Sequence, residues 1–242
     1  MDLSNLSTTS SEDLRIWLIQ NKKHRPTLTH PGISQGKFEC NSISPEGTGD
    51  VVKTRRERHM VLKNVLGERL GCKAEDLSIN RLNGGKPWIE RNNVPINLEI
   101  SFTHSYSWIG IINSRSTPVG IDIEKIRANI RTESLINRFY TKEEKSYLDS
   151  YDLKEKIEKF YQLWTIKEAL GKGLGDGLFC YTHQVSGLPA LDGGSHILWE
   201  SKDYEFQAPW RAELIEIGEE YAGAVAYRHQ TVLGKSISRS DD

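Results

Sequence analysis

The chain has 242 residues, of which 37% are hydrophobic and 27% are charged, and its formal net charge is -1. This size and composition are typical of a globular protein with one large domain or two fused small lobes. The near-zero charge excludes a global pull toward nucleic acid or anionic membrane, so any basic docking surface has to be local.

The three cysteines, Cys40, Cys72 and Cys180, are widely spaced and form no CxxC pair, which indicates reduced thiols rather than a disulfide framework or a metal site. No apolar run approaches the roughly 18 residues that a membrane helix needs. Residues 1–12 lack the apolar core of a secretory signal, and the chain has no arginine before Arg15. We therefore expect a cytosolic protein, with a plastid or mitochondrial location less favoured.

In chain order, residues 11–22 can start as a capped helix or contain a short strand. Residues 25–50 are rich in Pro, Gly, Ser and Thr, which predicts a long, partly disordered loop. From 55 to 70, apolar residues recur at three-to-four spacing, which predicts an amphipathic helix whose first turns are basic. Residues 84–87 (GGKP) predict a turn.

A β-rich stretch follows. Residues 96–102 alternate, and the segments 108–113 and 119–124 are separated by a short polar run, which predicts a β-hairpin. Because side chains alternate along a strand, Asp122 and Glu124 are predicted on one face of the second segment and its aliphatic residues on the other.

Three helices are predicted at about 130–139, 141–150 and 153–172, and the spacing of Thr141 and Glu144 is typical of a capping box. The chain beyond Gly187 is predicted to be mostly β. Its predicted strands are 196–200, 204–207, 210–217 and 221–227. The tail after residue 235 is polar and is predicted to fray.

Asp122 and Glu124 are candidate metal ligands. Side chains two apart on a strand lie roughly 7 Å apart, and Mg²⁺ prefers carboxylate oxygens. A lone D-x-E pattern is more often the solvated face of a strand. Glu168 and Lys172 share a helix face, where a surface ion pair is the plain alternative. The glycines near Lys172 follow their helix, which excludes a phosphate loop of the Walker type.

The order of several short motifs is more specific than any one of them. With these motifs the chain resembles the Sfp-type 4'-phosphopantetheinyl transferases. They are Gly85-Lys86-Pro87, Ser101-Phe102-Thr103-His104-Ser105, Gly120-Ile121-Asp122-Ile123-Glu124, Arg138-Phe139-Tyr140-Thr141-Lys142-Glu143-Glu144, Trp164-Thr165-Ile166-Lys167-Glu168-Ala169-Leu170-Gly171-Lys172 and Gly177-Leu178. The resemblance covers roughly residues 55–178.

The resemblance implies an α+β fold with two similar, pseudo-symmetric lobes in one chain and a nucleotide cleft between them. We assign residues 1–115 to the N-terminal lobe, 116–235 to the C-terminal lobe and 236–242 to a disordered tail. A faint likeness between residues 107–112 and 220–225 agrees with such a repeat.

The resemblance also implies site residues. Asp122, Glu124 and Glu168 would hold Mg²⁺. Glu168 or Glu144 would accept the proton of the acceptor serine, and Lys172 would contact the pyrophosphate. The residues implied in binding coenzyme A are Arg58, Lys86, Thr103, His104, Ser105, Asp122, Lys167 and Lys172.

The implied reaction moves the 4'-phosphopantetheine group of coenzyme A onto a serine of an apo acyl or peptidyl carrier protein, which leaves 3',5'-ADP. The enzyme would be monomeric, and its carrier could serve fatty-acid, polyketide, peptide or lysine-pathway synthesis. A basic cluster is the candidate docking surface, with a solvated helix face as the equal alternative. The cluster consists of Lys125, Arg127, Arg131 and Arg138.

Two departures from the family pattern stand out. Tyr106 occupies a position where glycine is usual, and residues 25–50 lack the usual aromatic and basic run. They favour a second hypothesis, a non-catalytic paralogue that binds coenzyme A or a carrier protein. A third hypothesis, an unrelated Mg²⁺-dependent phosphohydrolase, explains the carboxylates but not the ordered motifs.

Overall fold

A computed structural model describes residues 14–20, 39–42, 54–81, 85–128, 130–175, 182–192, 198–199 and 210–228. Within these ranges the fold is a mixed α+β arrangement. Its first half contains β1 (Arg15–Gln20), β2 (Glu39–Ser42), α1 (Arg55–Leu70), β3 (Leu77–Arg81), β4 (Pro87–Arg91), β5 (Val94–Ile96), β6 (Glu99–Ser105) and β7 (Trp108–Ser114). Its second half contains β8 (Val119–Lys125), α2 (Thr132–Phe139), α3 (Lys142–Asp149), α4 (Leu153–Leu174), β9 (Val185–Ser186), α5 (Leu188–Leu191), β10 (Leu198–Trp199), β11 (Trp210–Leu214) and β12 (Tyr221–Arg228).

Two sheets form the centre of the molecule. The first has the order β2-β1-β7-β6, and the second has the order β11-β12-β8. Their inner faces share one buried cluster, to which β1 and β7 contribute residues such as Ile16 and Ile112, and β8 contributes Ile121 and Ile123. The alternating aliphatic residues of β8 therefore face this core, as the sequence predicted.

Each sheet carries one long helix on its outer face. Leu62 and Leu66 of α1 pack against Trp17 and Ile111 of the first sheet, and Ala169 of α4 packs against the small side chains of β12. The central strands β7 and β12 each form an antiparallel hairpin with the preceding strand. This arrangement gives the weak likeness of residues 107–112 and 220–225 a structural counterpart and confirms the α+β class.

Gly120 sets the distance between β8 and α4. A Cβ atom at this position would overlap the carbonyl oxygen of Ala169 and lie 2.6 Å from the backbone nitrogen of Gly173. Real Cβ atoms do not approach backbone atoms so closely, and packed interiors absorb such overlap poorly. The glycine therefore allows β8 to lie directly against α4, which brings the two elements with candidate site residues together.

The predicted hairpin of segments 108–113 and 119–124 is wrong. Both segments are strands, but β7 is paired on both edges by β1 and β6, so it has no free edge for β8. The hydroxyl of Ser114 instead accepts the N–H groups of Ser116 and Thr117, and the chain crosses to the second sheet. There β8 pairs with β12.

Other expectations are refined. Residues 15–20 form a strand rather than a helix. The loop predicted at 25–50 is wrong at Glu39–Ser42, which pair in parallel with β1; a strand whose partner is distant in sequence has no local signature. The other residues of that loop, together with 84, 177–178, 204–207 and 236–242, lie outside the described residues. The helices predicted at 55–70, 130–139, 141–150 and 153–172 are confirmed.

Two helices begin with a capping box, and the sequence predicted the one at α3. Thr141 and Glu144 form the capping box of α3, and Thr54 and Glu57 form another at α1. None of the described helices is both long and apolar enough to cross a membrane.

Candidate active site

Asp122 of β8 lies inside the molecule, with an exposed fraction of 2%. Its Oδ1 atom accepts hydrogen bonds from the Thr103 hydroxyl at 3.0 Å and from the Lys172 ammonium at 2.6 Å. Its Oδ2 atom is buried and has no hydrogen-bond partner among the described residues. Asp122 is therefore not on a solvated strand face, and one of its oxygens can accept a further ligand.

Glu124 lies two residues further along β8 and is held from β6. Its Oε2 atom accepts a hydrogen bond from Ser105 at 3.2 Å, and the same hydroxyl accepts the N–H of Lys125. Ser101 likewise accepts the N–H of Ile121. Strands β6 and β8 belong to different sheets, so no backbone ladder joins them. Hydroxyl groups at alternate positions of β6 connect the two strands instead.

Glu168 extends from α4 toward the same place. Burial raises the pKa of its carboxyl to about 7, with added repulsion from Asp122 and Glu124, while Lys172 acts in the opposite direction. Burial and then Asp122 also raise the pKa of Glu124. The three carboxylates that the sequence proposed therefore influence one another electrostatically, although they come from a strand and a helix about forty residues apart.

Positive groups flank this carboxylate set. The pKa of His104 is lowered by burial first, and then by Arg58 and Lys172. Arg58 belongs to α1 and Lys172 to α4, so side chains from both halves of the fold meet beside β6. Lys86 pairs with Glu99 at 2.5 Å, and its aliphatic stem lies near Gly175 at the end of α4.

Glu144 and Lys167 form a separate buried ion pair with a distance of 2.8 Å, and each is at most 1% exposed. Glu144 also accepts the N–H groups of Thr141 and Gly187, and Lys167 donates to the carbonyl of Val185. Both Glu144 oxygens are thus engaged in tying α3 to α4 and β9. The structure does not place this pair with the other candidate site residues.

The donor atoms of the carboxylate set suit a hard cation. Across the residues that the structure describes, no three His, Cys, Asp or Glu side chains form a ready-made metal centre. The buried, unpartnered Oδ2 of Asp122 and the raised pKa values of Glu124 and Glu168 both indicate negative charge that lacks full compensation. All-oxygen donors of this kind fit Mg²⁺ better than a soft or imidazole-preferring metal.

The sequence reasoning missed some neighbours of the site. Ser101 was not assigned a contact role, although its alternation with Thr103 and Ser105 is a recognisable signal. Tyr161 of α4 was missed as well. Its hydroxyl is hydrogen-bonded to the backbone of Arg127, a contact between distant segments that no local pattern indicates.

Comparisons with known proteins point to one family. Residues 118–226 match the model of the 4'-phosphopantetheinyl transferase superfamily. The chain is 30% identical over 118 residues to the 4'-phosphopantetheinyl transferase HetI of Nostoc sp., covering 49% of this chain and 50% of the relative. It is 29% identical over 170 residues to a 4'-phosphopantetheinyl transferase of Bacillus subtilis, covering 70% and 71%. It is 33% identical over 119 residues to the transferase Sfp of Bacillus subtilis (strain 168), covering 49% and 50%.

These matches confirm the resemblance seen in the sequence. The chain spans about half the length of HetI and Sfp and somewhat more of the other Bacillus subtilis relative. Over residues 118–226 the chain is similar to members of the 4'-phosphopantetheinyl transferase superfamily.

Proposed function

We propose that the protein transfers the 4'-phosphopantetheine group of coenzyme A to a serine of an apo acyl or peptidyl carrier protein, with 3',5'-ADP as the second product. The observation that carries the proposal is the ion pair of Lys172 with the buried Asp122, and the electrostatic influence of Asp122 and Glu124 on Glu168 supports it. Phosphoryl transfer needs compensation of negative charge and precise positioning, and this set can provide both.

In the proposed reaction the serine oxygen attacks the β-phosphorus of coenzyme A. A new P–O bond forms, the bond to the bridging oxygen breaks, and 3',5'-ADP leaves with the bonding electrons. Arg58, His104 and Lys172 would hold the nucleotide phosphates, because charge-assisted hydrogen bonds favour such anions. The effect of Arg58 and Lys172 on the pKa of His104 supports this grouping. Lys86 would contribute from the turn before β4.

Asp122, Glu124 and Glu168 would hold Mg²⁺, which neutralises charge on a pyrophosphate when it is bound. Thr103 and Lys172 both donate to Oδ1 of Asp122, which leaves its Oδ2 atom to accept a further ligand. Ser105 likewise donates to Oε2 of Glu124.

Glu168 is the better candidate for accepting the serine proton. Burial raises the pKa of Glu168 to about 7 in the metal-free protein, and bound Mg²⁺ would lower it, so this assignment rests on the position of Glu168 beside Asp122 and Glu124 and not on this pKa. Both oxygens of Glu144 are already occupied by N–H donors and by Lys167. We therefore assign Glu144 and Lys167 a structural role.

The decisive experiment is to incubate the protein with Mg²⁺, coenzyme A and several apo carriers and to measure the mass of each carrier. A gain of the phosphopantetheine mass on the acceptor serine is the expected result. No gain with any acyl or peptidyl carrier would refute transfer. Binding of coenzyme A without a mass gain would instead support the non-catalytic paralogue, which Tyr106 at a glycine position favours. The carrier, the cytosolic location and the monomeric state stay predictions.

A further inference from the structure

Tyr106 has an unusual backbone conformation. It is the first residue of the two-residue turn that joins β6 to β7, and its φ angle is +50°. The other described non-glycine residues with positive φ are Asn92 and Asn93, in the turn between β4 and β5. Asparagine tolerates this region because its short amide can bond locally, whereas tyrosine has no such compensation. The turn thus holds a tyrosine where glycine would fit without strain.

Burial does not explain why a tyrosine is kept there, since the side chain is 58% exposed. Two cations instead lie over the ring. The Nζ atom of Lys125 lies 5.0 Å and the Cζ atom of Arg127 5.1 Å from its centroid. Cation–π contacts at these distances are favourable. Both cations come directly after the carboxylate positions of β8, so the ring has a defined place relative to the site.

The exposed ring lies at the Glu124 end of the carboxylate set. Tyr106 follows Ser105, whose hydroxyl donates to Glu124. The hydrogen bond of Lys172 is to Asp122, one step back along β8. In an in-line displacement the nucleophile enters opposite the leaving group. If the leaving nucleotide lies near Lys172, as proposed above, the acceptor serine would enter at the opposite, Glu124 end of the set, next to Tyr106.

We propose that Tyr106, Lys125 and Arg127 form a contact surface for the acceptor polypeptide and select acceptors with a carboxylate next to the modified serine. We call these three residues the Tyr106 platform. The ring supplies apolar contact area at low entropic cost, and the two cations it orders supply the charge that favours a carboxylate. The proposal rests on the proposed transferase function and identifies a selectivity-determining feature of that site.

The central experiment compares Tyr106→Gly with the wild-type full chain. Glycine adopts φ of +50° readily, so the variant is expected to fold with unchanged or higher stability. The KM for the apo carrier is expected to rise about ten-fold, as for an interface aromatic of moderate importance. The KM for coenzyme A and the kcat are expected to stay within about two-fold. Tyr106→Phe keeps the ring and is expected to restore the carrier KM.

Asn93→Gly is the matched control. It makes the same type of change at a φ of +65°, in the turn between β4 and β5, and it should not alter the carrier KM. A second measurement does not depend on turnover. Calorimetry gives the affinity of the protein for a carrier whose acceptor serine is replaced by alanine. The affinity for this carrier should fall in Tyr106→Gly and in Arg127→Met but not in Asn93→Gly.

The charge preference is tested with a carrier in which the acid next to the serine is changed to its amide. This change should weaken binding of the carrier to the wild type but should hardly change its binding to Arg127→Met. Such a difference is expected when the carrier carboxylate and Arg127 interact directly. An unchanged carrier KM and affinity in Tyr106→Gly, or a rise confined to the coenzyme A KM, would overturn the platform. If the wild type modifies no carrier, the proposed function fails, while the calorimetric comparison still tests the platform.

Discussion

The Nζ atom of Lys172 lies 2.6 Å from Oδ1 of Asp122, so a cation of helix α4 meets a buried carboxylate of strand β8. Lys172 is about a third exposed, whereas the Asp122 side chain is 3% exposed. This contact joins the two segments that contain all three candidate carboxylates. It depends on Gly120, because only a glycine allows β8 to lie so close to α4.

Asp122→Asn should abolish most of the transfer activity. The amide preserves the shape of the side chain but removes the charge that Lys172 and the proposed cation require. We expect kcat/KM to fall at least about 100-fold, a range typical when one preorganised electrostatic group is removed. Asp149→Asn is the matched control, since Asp149 forms an exposed pair with Lys156. The control should keep its activity within about two-fold, because exposed pairs contribute little; full activity in Asp122→Asn would refute the assignment.

Glu168→Gln should mainly lower activity, whereas Glu144→Gln should mainly lower stability. Loss of a general base typically lowers the rate about 10²- to 10⁴-fold, so Glu168→Gln should lower kcat while the unfolding free energy changes little. Glu144→Gln should leave Lys167 buried without its anion and lower the unfolding free energy by about 3–5 kcal/mol. Urea unfolding and steady-state kinetics measure the two quantities. A stable but inactive Glu144→Gln variant would return the base role to Glu144.

Gly120→Ala should destabilise the fold and the site together. The added methyl group would overlap the backbone of Ala169 and Gly173, which cannot move like a flexible side chain. We expect a loss of about 1–3 kcal/mol or more in urea unfolding, and weaker activity as β8 and α4 separate.

Gly71→Ala is the comparison for this effect. Gly71 ends α1 with a φ of +62° and has open space around its Cβ position. Its substitution should cost about 1 kcal/mol through backbone strain alone, without a change in activity. Equal activity losses in the two variants would show that the contact of β8 with α4 does not position the site.

His104 should bind the nucleotide in a pH-dependent way. Burial, Arg58 and Lys172 lower its pKa below the ordinary 6.5, so the imidazole of the free protein is neutral at pH 7. A bound phosphate favours the charged form and should raise this pKa, since opposite charges stabilise each other. By linkage, the affinity for 3',5'-ADP should increase as the pH falls through the pKa range of the imidazole. Proton NMR titration with and without 3',5'-ADP measures the shift, and His104→Gln identifies the resonance; a pKa that does not rise would remove His104 from the phosphate contacts.

The depressed pKa of His104 also has a consequence for stability. Because the pKa of His104 is lower in the folded than in the unfolded protein, the neutral imidazole makes its full contribution to the unfolding free energy above about pH 6.5. This contribution is lost as the pH falls through the folded-state pKa. In urea unfolding, the wild type should therefore lose stability relative to His104→Gln as the pH falls below about 6.5. A difference that grows with rising pH above 7 would contradict the assigned cause.

The sequence alone determined the local secondary structure and which carboxylates are candidate ligands. Helices α1 and α4 follow from apolar residues at helical spacing, and the capping box of Thr141 and Glu144 was predicted correctly. The two faces of β8 followed from its period of two. These properties depend on residues close together in the chain, so short sequence patterns are enough to predict them.

The tertiary structure decided which segments became neighbours. It paired β8 with β12 instead of β7, buried Asp122, and placed Glu144 with Lys167 away from the other carboxylates. It also brought Lys125 and Arg127 over the ring of Tyr106. Strand partners, burial and ion pairing depend on which distant segments pack together, and a close approach such as that of Gly120 to α4 arises only when the whole core is assembled.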